Sequence, residues 1–465
     1  MVMPDYNEAT IAAIATPPGA GGIGIIRLSG SDALDILHGL FKPTHPRSQF
    51  TSHKLYHGFL VNPQTSVVID EVLAVYMRAP HTYTREDVVE IHCHGSYLVL
   101  EEILSLVLTF PRVRLADAGE FTKRAFLNGR IDLTQAEAVA ELLAAKTRDG
   151  VDLAVTQLRG GLREEIEQIR DALLAVRAIV EVAIDFPDED VEILDATALA
   201  QKLAAEVKEP LFRLLSRAAA GKIFREGIAV VILGRPNVGK SSLLNRLLRE
   251  ERAIVTEIPG TTRDTIEEYL DVRGIPVRIV DTAGIRETAE AVEEIGIRRA
   301  RKKLDEAELV LLVIDGAEGI KDEDRSLWAM AAEKKIVIVV NKIDQVSMVN
   351  SDACCRNFSG TPCVSVSAKT GFGIDALEEA LYASVTGGEG LREPGRAAPN
   401  ARHAGALSRA GEAVERVSEG LGHALAPDLL AIDLQEALDC LGDIVGETTS
   451  EDVLDMIFSE FCIGK

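Results

Sequence analysis

Residues 228–242 read IAVVILGRPNVGKSS: a β-branched apolar run, a glycine turn, then a lysine and two serines at the head of LLNRLL, whose apolar residues recur at helical spacing. A strand that passes through such a loop into a helix is the context in which the pattern G-x-x-x-x-G-K-S wraps phosphates. Gly234 and Gly239 let backbone N–H groups turn toward the anion. Lys240 carries the charge for β- and γ-phosphates, and the Ser241 hydroxyl is a candidate magnesium ligand; Asn237, Val238 and Ser242 complete the loop.

Four further segments follow in the order this chemistry needs. TEIPGTTRD contains Thr256, Glu257, Ile258, Pro259, Gly260, Thr261 and Thr262, and the Thr262 hydroxyl can complete the magnesium shell and sense the γ-phosphate. DTAG, Asp281, Thr282, Ala283 and Gly284, puts a carboxylate behind the metal and a glycine N–H at that phosphate. NKID supplies Asn341, Lys342 and Asp344. The Asp344 carboxylate can accept from the ring N–H and the exocyclic amine of guanine, a pair that adenine lacks. SAK, Ser367, Ala368 and Lys369, offers backbone N–H groups to the guanine oxygen. The set predicts a GTP site. It departs from the common pattern after DTAG, where Ile285 stands in place of a water-orienting glutamine, so another group has to position water; the acidic EAVEEIG lies just downstream.

At 465 residues the chain is too long for one core and about three domains are expected. Residues 10–28 read as strand, glycine turn and strand, and apolar alternation continues through VVIDEVLAVYM and EDVVEIHCHG, which predicts an α+β opening domain. Helical spacing begins near Leu133 and stops at FPDEDVE. Alternating strands and helices run from about Gly227 to Val385, and helical spacing returns after the Gly/Pro-rich TGGEGLREPGRAAPN. The predicted fold is multidomain, with an α/β domain inserted between two parts of a helical one.

A net charge of −23 opposes a bulk electrostatic grip on nucleic acid, so an RNA contact needs a local basic patch or a partner that supplies one. With no long apolar run and no basic, apolar leader in MVMPDYNEAT, a soluble cytoplasmic protein that makes no membrane contact is expected. Six scattered cysteines, Cys93, Cys354, Cys355, Cys363, Cys440 and Cys462, fit reduced thiols better than a disulfide framework. GAGGIG, Gly19–Gly24, matches G-x-G-x-x-G literally, but the β-branched IGIIRL follows where a dinucleotide site needs a helix, so a hairpin or close backbone packing is expected. His92 and His94 of HCH share one strand face, with too few further ligands nearby for zinc.

The ordered set ATPPG, GGIGIIRLSG, AGEFTKRAFLNGRIDLTQAEAV, AIDFPDE, GRPNVGKSSLLN, GTTRD, DTAGIR, NARH and FCIGK resembles the MnmE/TrmE family of tRNA modification GTPases over essentially the whole chain. The resemblance implies a tetrahydrofolate-binding and dimerisation domain over 1–125, a helical domain over 126–222 and 386–465, and a Ras-like P-loop GTPase domain inserted over 223–385. It implies a homodimer that works with a flavin-dependent partner of the MnmG/GidA family. Together they place an aminomethyl or carboxymethylaminomethyl group on the wobble uridine of certain tRNAs. It further implies a potassium ion held by Asn237 and the carbonyls of Thr256, Ile258 and Thr261, and a water-positioning glutamate at Glu293; spacing alone does not separate Glu293 from Glu294.

For the folate, a 5,10-methylene or 5-formyl derivative, the resemblance maps binding residues to Arg27, Glu90 and Arg130 and brings Lys465 to the pocket. Cys462 is then a candidate nucleophile or proton carrier, with a small apolar pin at a helix end as the equal alternative. A ribosome-assembly GTPase switch without modification chemistry is the competing reading. Such a switch should carry a basic RNA-binding module, and the flanks here are neutral to acidic.

Overall fold

The computed structural model describes residues 9–45, 49–186, 195–249, 253–254, 269–280, 304–345, 354–358, 360–387, 396–459 and 461–464. They fall into two compact units, one of Met1–Ala140 with Gly442–Lys465, the other of Glu141–Ile258 with Arg263–Leu441.

The first unit is built on a sheet of seven strands: β1 (Thr10–Ile14), β2 (Gly21–Ser29), β3 (Phe41–Pro43), β4 (Lys54–Val61), β5 (Val68–Met77), β6 (Val88–Gly95) and β7 (Val113–Leu115). Their order is β3-β4-β5-β6-β2-β1-β7, antiparallel except for the β1–β7 pair. Alternation in β4, where buried Tyr56, Gly58 and Leu60 are separated by exposed His57 and Phe59, marks a sheet covered on one face. The helices Ala33–Leu40 and Tyr97–Val107 cover that face with Ile36, Leu37, Leu40, Leu100 and Ile103. The opposite face divides. Near β1, Ile11, Ala13, Ala116 and Phe121 form a small core of their own. Toward β4 and β5 it carries exposed Leu55, Phe59 and Leu73. GAGGIG runs from the β1–β2 connection into β2, as hairpin chemistry predicts, and no helix follows it.

The helix Glu451–Ser459 closes this unit: Leu454, Phe458 and Phe461 pack with Leu133 and Ala136. AGEFTKRAFLNGR turns out to be structural chemistry. Arg124 is almost fully buried and donates to Glu86, Glu120 and the Ala9 carbonyl, while Arg114 also donates to Glu120. Burial pushes the Glu120 carboxyl up, but the bonds from Arg114, the Asp117 N–H and Arg124 outweigh it and hold the group below its ordinary range.

The second unit carries a sheet of β8 (Ile228–Leu233), β9 (Ala253–Ile254), β10 (Tyr269–Val272), β11 (Ile275–Ile279), β12 (Leu309–Asp315), β13 (Lys335–Asn341) and β14 (Cys363–Ser365), in the order β14-β13-β12-β8-β11-β10-β9. Strands β14, β13, β12, β8 and β11 are parallel neighbours, and β10 returns as a hairpin. Every residue of β8 and β12 is buried, as expected where both faces are covered. One face meets Leu243, Leu244 and Leu247 and the helix Ile374–Thr386; the other meets Leu304, Ala331 and Phe358.

Helices Arg148–Leu158, Gly161–Asp185, Ala196–Leu203, Glu209–Glu226, Ala401–Gly422 and most of Pro427–Val445 make up the helical part of the same unit. Pro210 cannot donate a backbone hydrogen bond, and a π-helical turn, Ala204–Lys208, joins the two helices just before it. NARH is a helix cap: Asn400 Oδ1 accepts from the His403 N–H at 3.0 Å and His403 Nδ1 accepts from the Asn400 N–H at 3.1 Å.

One sequence expectation is overturned here. Cys355 and Cys363, expected as reduced thiols, form a disulfide with Cα atoms 5.6 Å apart. Their spacing has no signature, because the chain loops back through Phe358, which is anchored edge-on against Trp328. Cys93, Cys354 and Cys440 are buried and free, and burial, with Asp70 nearby, pushes the Cys93 thiol up to about 11.

Candidate functional site

The phosphate loop leaves the buried end of β8 and enters the helix Lys240–Arg249. Its shape demands glycine where the sequence has it. Gly239 has φ +99, and a Cβ there would collide with the Asn341 amide. Asn237 also takes a left-handed backbone, φ 62. Lys240 Nζ donates to the carbonyls of Gly234 and Arg235, both at 2.8 Å, so the ammonium lies across the mouth of the loop.

The base-recognition segments are tied to this loop by side chains. Asn341, almost fully buried, donates from Nδ2 to the Val238 carbonyl at 2.9 Å and accepts at Oδ1 from the Ala368 N–H at 3.0 Å. NKID, SAK and the phosphate loop thus share one bridge. Lys342 Nζ donates to the Asn237 carbonyl and to Asp315, each at 2.7 Å. Burial pushes the Asp315 carboxyl up, and the bonds from Lys342 and the N–H groups of Ala317 and Glu318 outweigh it and hold it below its usual range. Ser367 Oγ donates to Asp344 Oδ1 at 2.7 Å, which aims the carboxylate, and Arg246 donates to the carbonyls of Ala368 and Lys369. The Ser241 hydroxyl stands at the head of the helix, where a neutral oxygen beside phosphate oxygens suits a hard divalent cation. Val238, Gly239, Ser242, Asn341, Lys342, Asp344, Ser367, Ala368 and Lys369 all belong to this one end of the parallel sheet. Thr256, Glu257, Ile258, Pro259, Gly260, Thr261, Thr262, Asp281, Thr282, Ala283, Gly284, Glu293 and Lys465 lie outside the described residues.

Sequence reasoning missed Arg235. Its Nε donates to both carboxylate oxygens of Asp324 at 3.0 Å and its Nη1 to Glu318 at 3.1 Å; Arg235 is 7% and Asp324 0% exposed. Asp324 also accepts from the Lys321 N–H, capping the helix Asp322–Met330. The loop is therefore staked from behind by a buried ion pair, and the carbonyl of the staked residue is one that holds Lys240.

In the first unit Arg27 and Glu90 are cross-strand neighbours and an ion pair at 2.9 Å. The second Glu90 oxygen faces His92 Nε2 at 3.2 Å. The Arg27 guanidinium lies 5.7 Å from the Phe121 ring centre and donates from Nη1 to the Gly464 carbonyl at 3.1 Å. FCIGK therefore returns to the sheet: Ile463 bridges Ala118, the Gly119 N–H donates to the Cys462 carbonyl, and Cys462 is exposed. Gly464, φ +93, passes so close to Ile14 that a Cβ would strike its carbonyl. An arginine, a carboxylate and an imidazole, each partly exposed, meet on this sheet face with the buried Phe121 ring beneath the guanidinium, and the set of donors and acceptors suits a flat heterocycle with an anionic tail. Arg130 stands in another direction, over the Tyr83 ring at 5.4 Å, with Nε donating to the Thr82 carbonyl. His94 is taken by Asp70, and among the described residues no cluster of three or more His, Cys, Asp or Glu could hold a metal ion. No helix among them is long and apolar enough to cross a membrane.

Comparisons with known proteins bear on both units. A family model described as the MnmE helical domain matches residues 133–462, and one described as the N-terminus of GTP-binding protein TrmE matches 10–130. The chain is 50% identical over 463 residues to the tRNA modification GTPase MnmE of Desulfotalea psychrophila, covering 99% of each chain. It is 47% identical over 459 residues to that of Natranaerobius thermophilus, covering 99% of this chain and 100% of the relative. With that of Heliobacterium modesticaldum it shares 48% over 464 residues, covering 98% and 99%.

Proposed function

The chain belongs to the MnmE family of tRNA modification GTPases, and from that premise we propose a potassium-stimulated GTP hydrolase that acts with a MnmG/GidA-type flavoprotein to add an aminomethyl or carboxymethylaminomethyl group to C5 of the wobble uridine. As a GTP hydrolase of tRNA modification it binds GTP with magnesium. The observation that carries the nucleotide reading is the Asn341 bridge, which makes phosphate and base recognition one rigid piece.

The chain's own groups have separate tasks. Lys240 neutralises charge that moves toward the β–γ bridge as the bond breaks, and the loop N–H groups hold the phosphates in line. Asp344, aimed by Ser367, selects guanine. Glu293 orients the attacking water, work that Ile285 cannot do. Magnesium, when bound by Ser241 and Thr262, neutralises phosphate oxygens. Potassium, when bound by Asn237 with the carbonyls of Thr256, Ile258 and Thr261, supplies the positive charge that an arginine finger provides elsewhere.

Tetrahydrofolate supplies the one-carbon unit when bound. The Arg27–Glu90 pair supports a role in holding it, with Arg130 and Lys465 contributing from their own segments and Cys462 at the returning tail as nucleophile or proton carrier. Homodimerisation through the first unit is supported by the exposed Leu55, Phe59 and Leu73 on its open sheet face. The flavoprotein partner would supply most of the tRNA grip that a chain of net charge −23 lacks.

GTP turnover measured in potassium and in sodium tests the cation, and equal rates would remove it from the mechanism. Mass spectrometry of tRNA nucleosides from cells lacking the protein tests the modification, because unchanged wobble uridines would leave only a switch.

A further inference from the structure

The disulfide between Cys355 and Cys363 lies where it can act on the nucleotide site. Cys363 opens β14, the edge strand of the second sheet. Among the described residues β14 is held in that sheet by one ladder, Cys363, Val364 and Ser365 on Ile338, Val339 and Val340 of β13. From β14 the chain runs through buried Val366 straight into the guanine segment 367–369, where the Ser367 hydroxyl aims Asp344 and the Ala368 N–H meets Asn341. Cys355 stands in a turn with its own anchors: Phe358, 2% exposed, packs edge-on against Trp328, and Cys354 is buried in the same core. The bond therefore ties the start of a short strand to a fixed point.

Its setting is that of an exchangeable bond. Both cysteines are half-buried, with exposed Arg356, Asn357 and Pro362 beside them, so they lie at the surface, where a thiolate can approach. Cys354, the neighbouring thiol, is no rival in the exchange, because burial, with the Asp324 charge nearby, pushes it up and keeps it protonated. In the reducing compartments that hold most tRNA, protein disulfides are usually transient and catalytic or redox-sensing.

We infer that Cys355 and Cys363 form a thiol–disulfide exchange site that takes a dithiol reductant and sets how long guanine nucleotide stays bound, the oxidised form holding it longer. This deepens the GTP-site reading and rests on it. In the exchange a thiolate of the dithiol attacks one sulfur, a mixed disulfide forms as the Cys355–Cys363 bond breaks, and the second reductant thiol then displaces the protein sulfur. Two electrons and two protons pass to the protein, which is left with two thiols, and the dithiol leaves as a disulfide. Glutathione disulfide reverses the exchange by taking the two electrons back. With the bond gone, β14 keeps only its three-residue ladder, and the aim of Asp344 and of the Ala368 N–H slackens just beyond it.

The test is the dissociation rate of a fluorescent GDP from the full chain, oxidised with glutathione disulfide or reduced with dithiothreitol, with non-reducing peptide mass mapping to follow the bond in each sample. Dissociation should be about fivefold faster from the reduced protein, the factor for one weakened hydrogen bond, with association nearly unchanged. The double variant Cys355→Ser/Cys363→Ser should release GDP at the reduced rate under both conditions, which separates this pair from the exposed Cys462. Equal rates from the oxidised and reduced parent overturn the inference, as does a redox response that persists in the double variant, or a peptide map in which glutathione disulfide leaves both cysteines as thiols. GDP that binds neither form would overturn the GTP-site reading along with it, whereas equal lifetimes would leave that reading standing.

Discussion

Removing Asp324 should show how much of the nucleotide site depends on the ion pair behind it. Asp324→Ala leaves the Arg235 guanidinium, 7% exposed, with only Glu318 and a 3.4 Å contact to the Gly319 carbonyl. Breaking a buried pair by deleting one partner costs about 3–5 kcal/mol, because the remaining charge stays desolvated. The surviving Glu318 contact puts the expectation at the lower end, about 3 kcal/mol. For a cooperative unit of a few hundred residues each kcal/mol lowers the melting temperature by roughly 2–4 °C, so the transition should fall by roughly 6–12 °C in nucleotide-free protein. Arg235→Ala should cost about as much, since it leaves the Asp324 carboxylate buried with only the Lys321 N–H. The double variant should then recover part of the loss, with a coupling of about 2–3 kcal/mol. Because the Arg235 carbonyl holds Lys240, KM for GTP should rise about tenfold in each single variant while kcat moves much less. Thermal unfolding of the four proteins gives the cycle. Strictly additive effects, or single variants within 1 °C of the parent, would refute the reasoning and reduce the pair to a surface contact.

Asn341→Ala leaves the Val238 carbonyl and the Ala368 N–H without their partner, and fluorescent-GDP titration should show roughly thirtyfold weaker binding, from about 1 kcal/mol or more for each stranded group. Gly464→Ala should lift the tail from Ile14 and lower reduced-folate affinity several-fold by calorimetry, with GTP turnover as in the parent; unchanged folate affinity would take the tail out of the pocket. Glu120 has a folded-state pKa below its ordinary 4.5, so its contribution to stability is complete above that pH and is lost as pH falls through the folded value. Melting temperature should accordingly be flat from pH 7 to about 5 and decline below 4.5, with a shallower decline in Glu120→Gln.

The nucleotide site was legible because its code is local: a strand, a loop and a helix within 22 residues, then short segments whose order is itself a signature. What could not be read was every contact made by folding back. Arg235 finds Asp324 89 residues away and Arg27 meets Gly464 437 residues away, with no spacing rule for either. Cys355 and Cys363 are close in sequence, yet composition argued against a bond because it cannot see the turn that joins them. GAGGIG was recognisable as a hairpin because β-branched residues follow it. AGEFTKRAFLNGR and NARH served as family signatures, and their physical work, a buried ion cluster and a helix cap, emerged only with the side chains in place.

The first unit has a history that the finished fold conceals. Its sheet comes from the opening third of the chain, whereas the Leu454, Phe458 and Phe461 that cover Leu133 and Ala136 follow after an intervening segment of roughly three hundred residues. At ribosomal speeds of about 5–20 residues per second that is a delay of roughly 15–60 s. Throughout it Leu133 and Ala136 wait uncovered, so a chain truncated before Glu451 should depend on chaperones and aggregate where the complete chain does not.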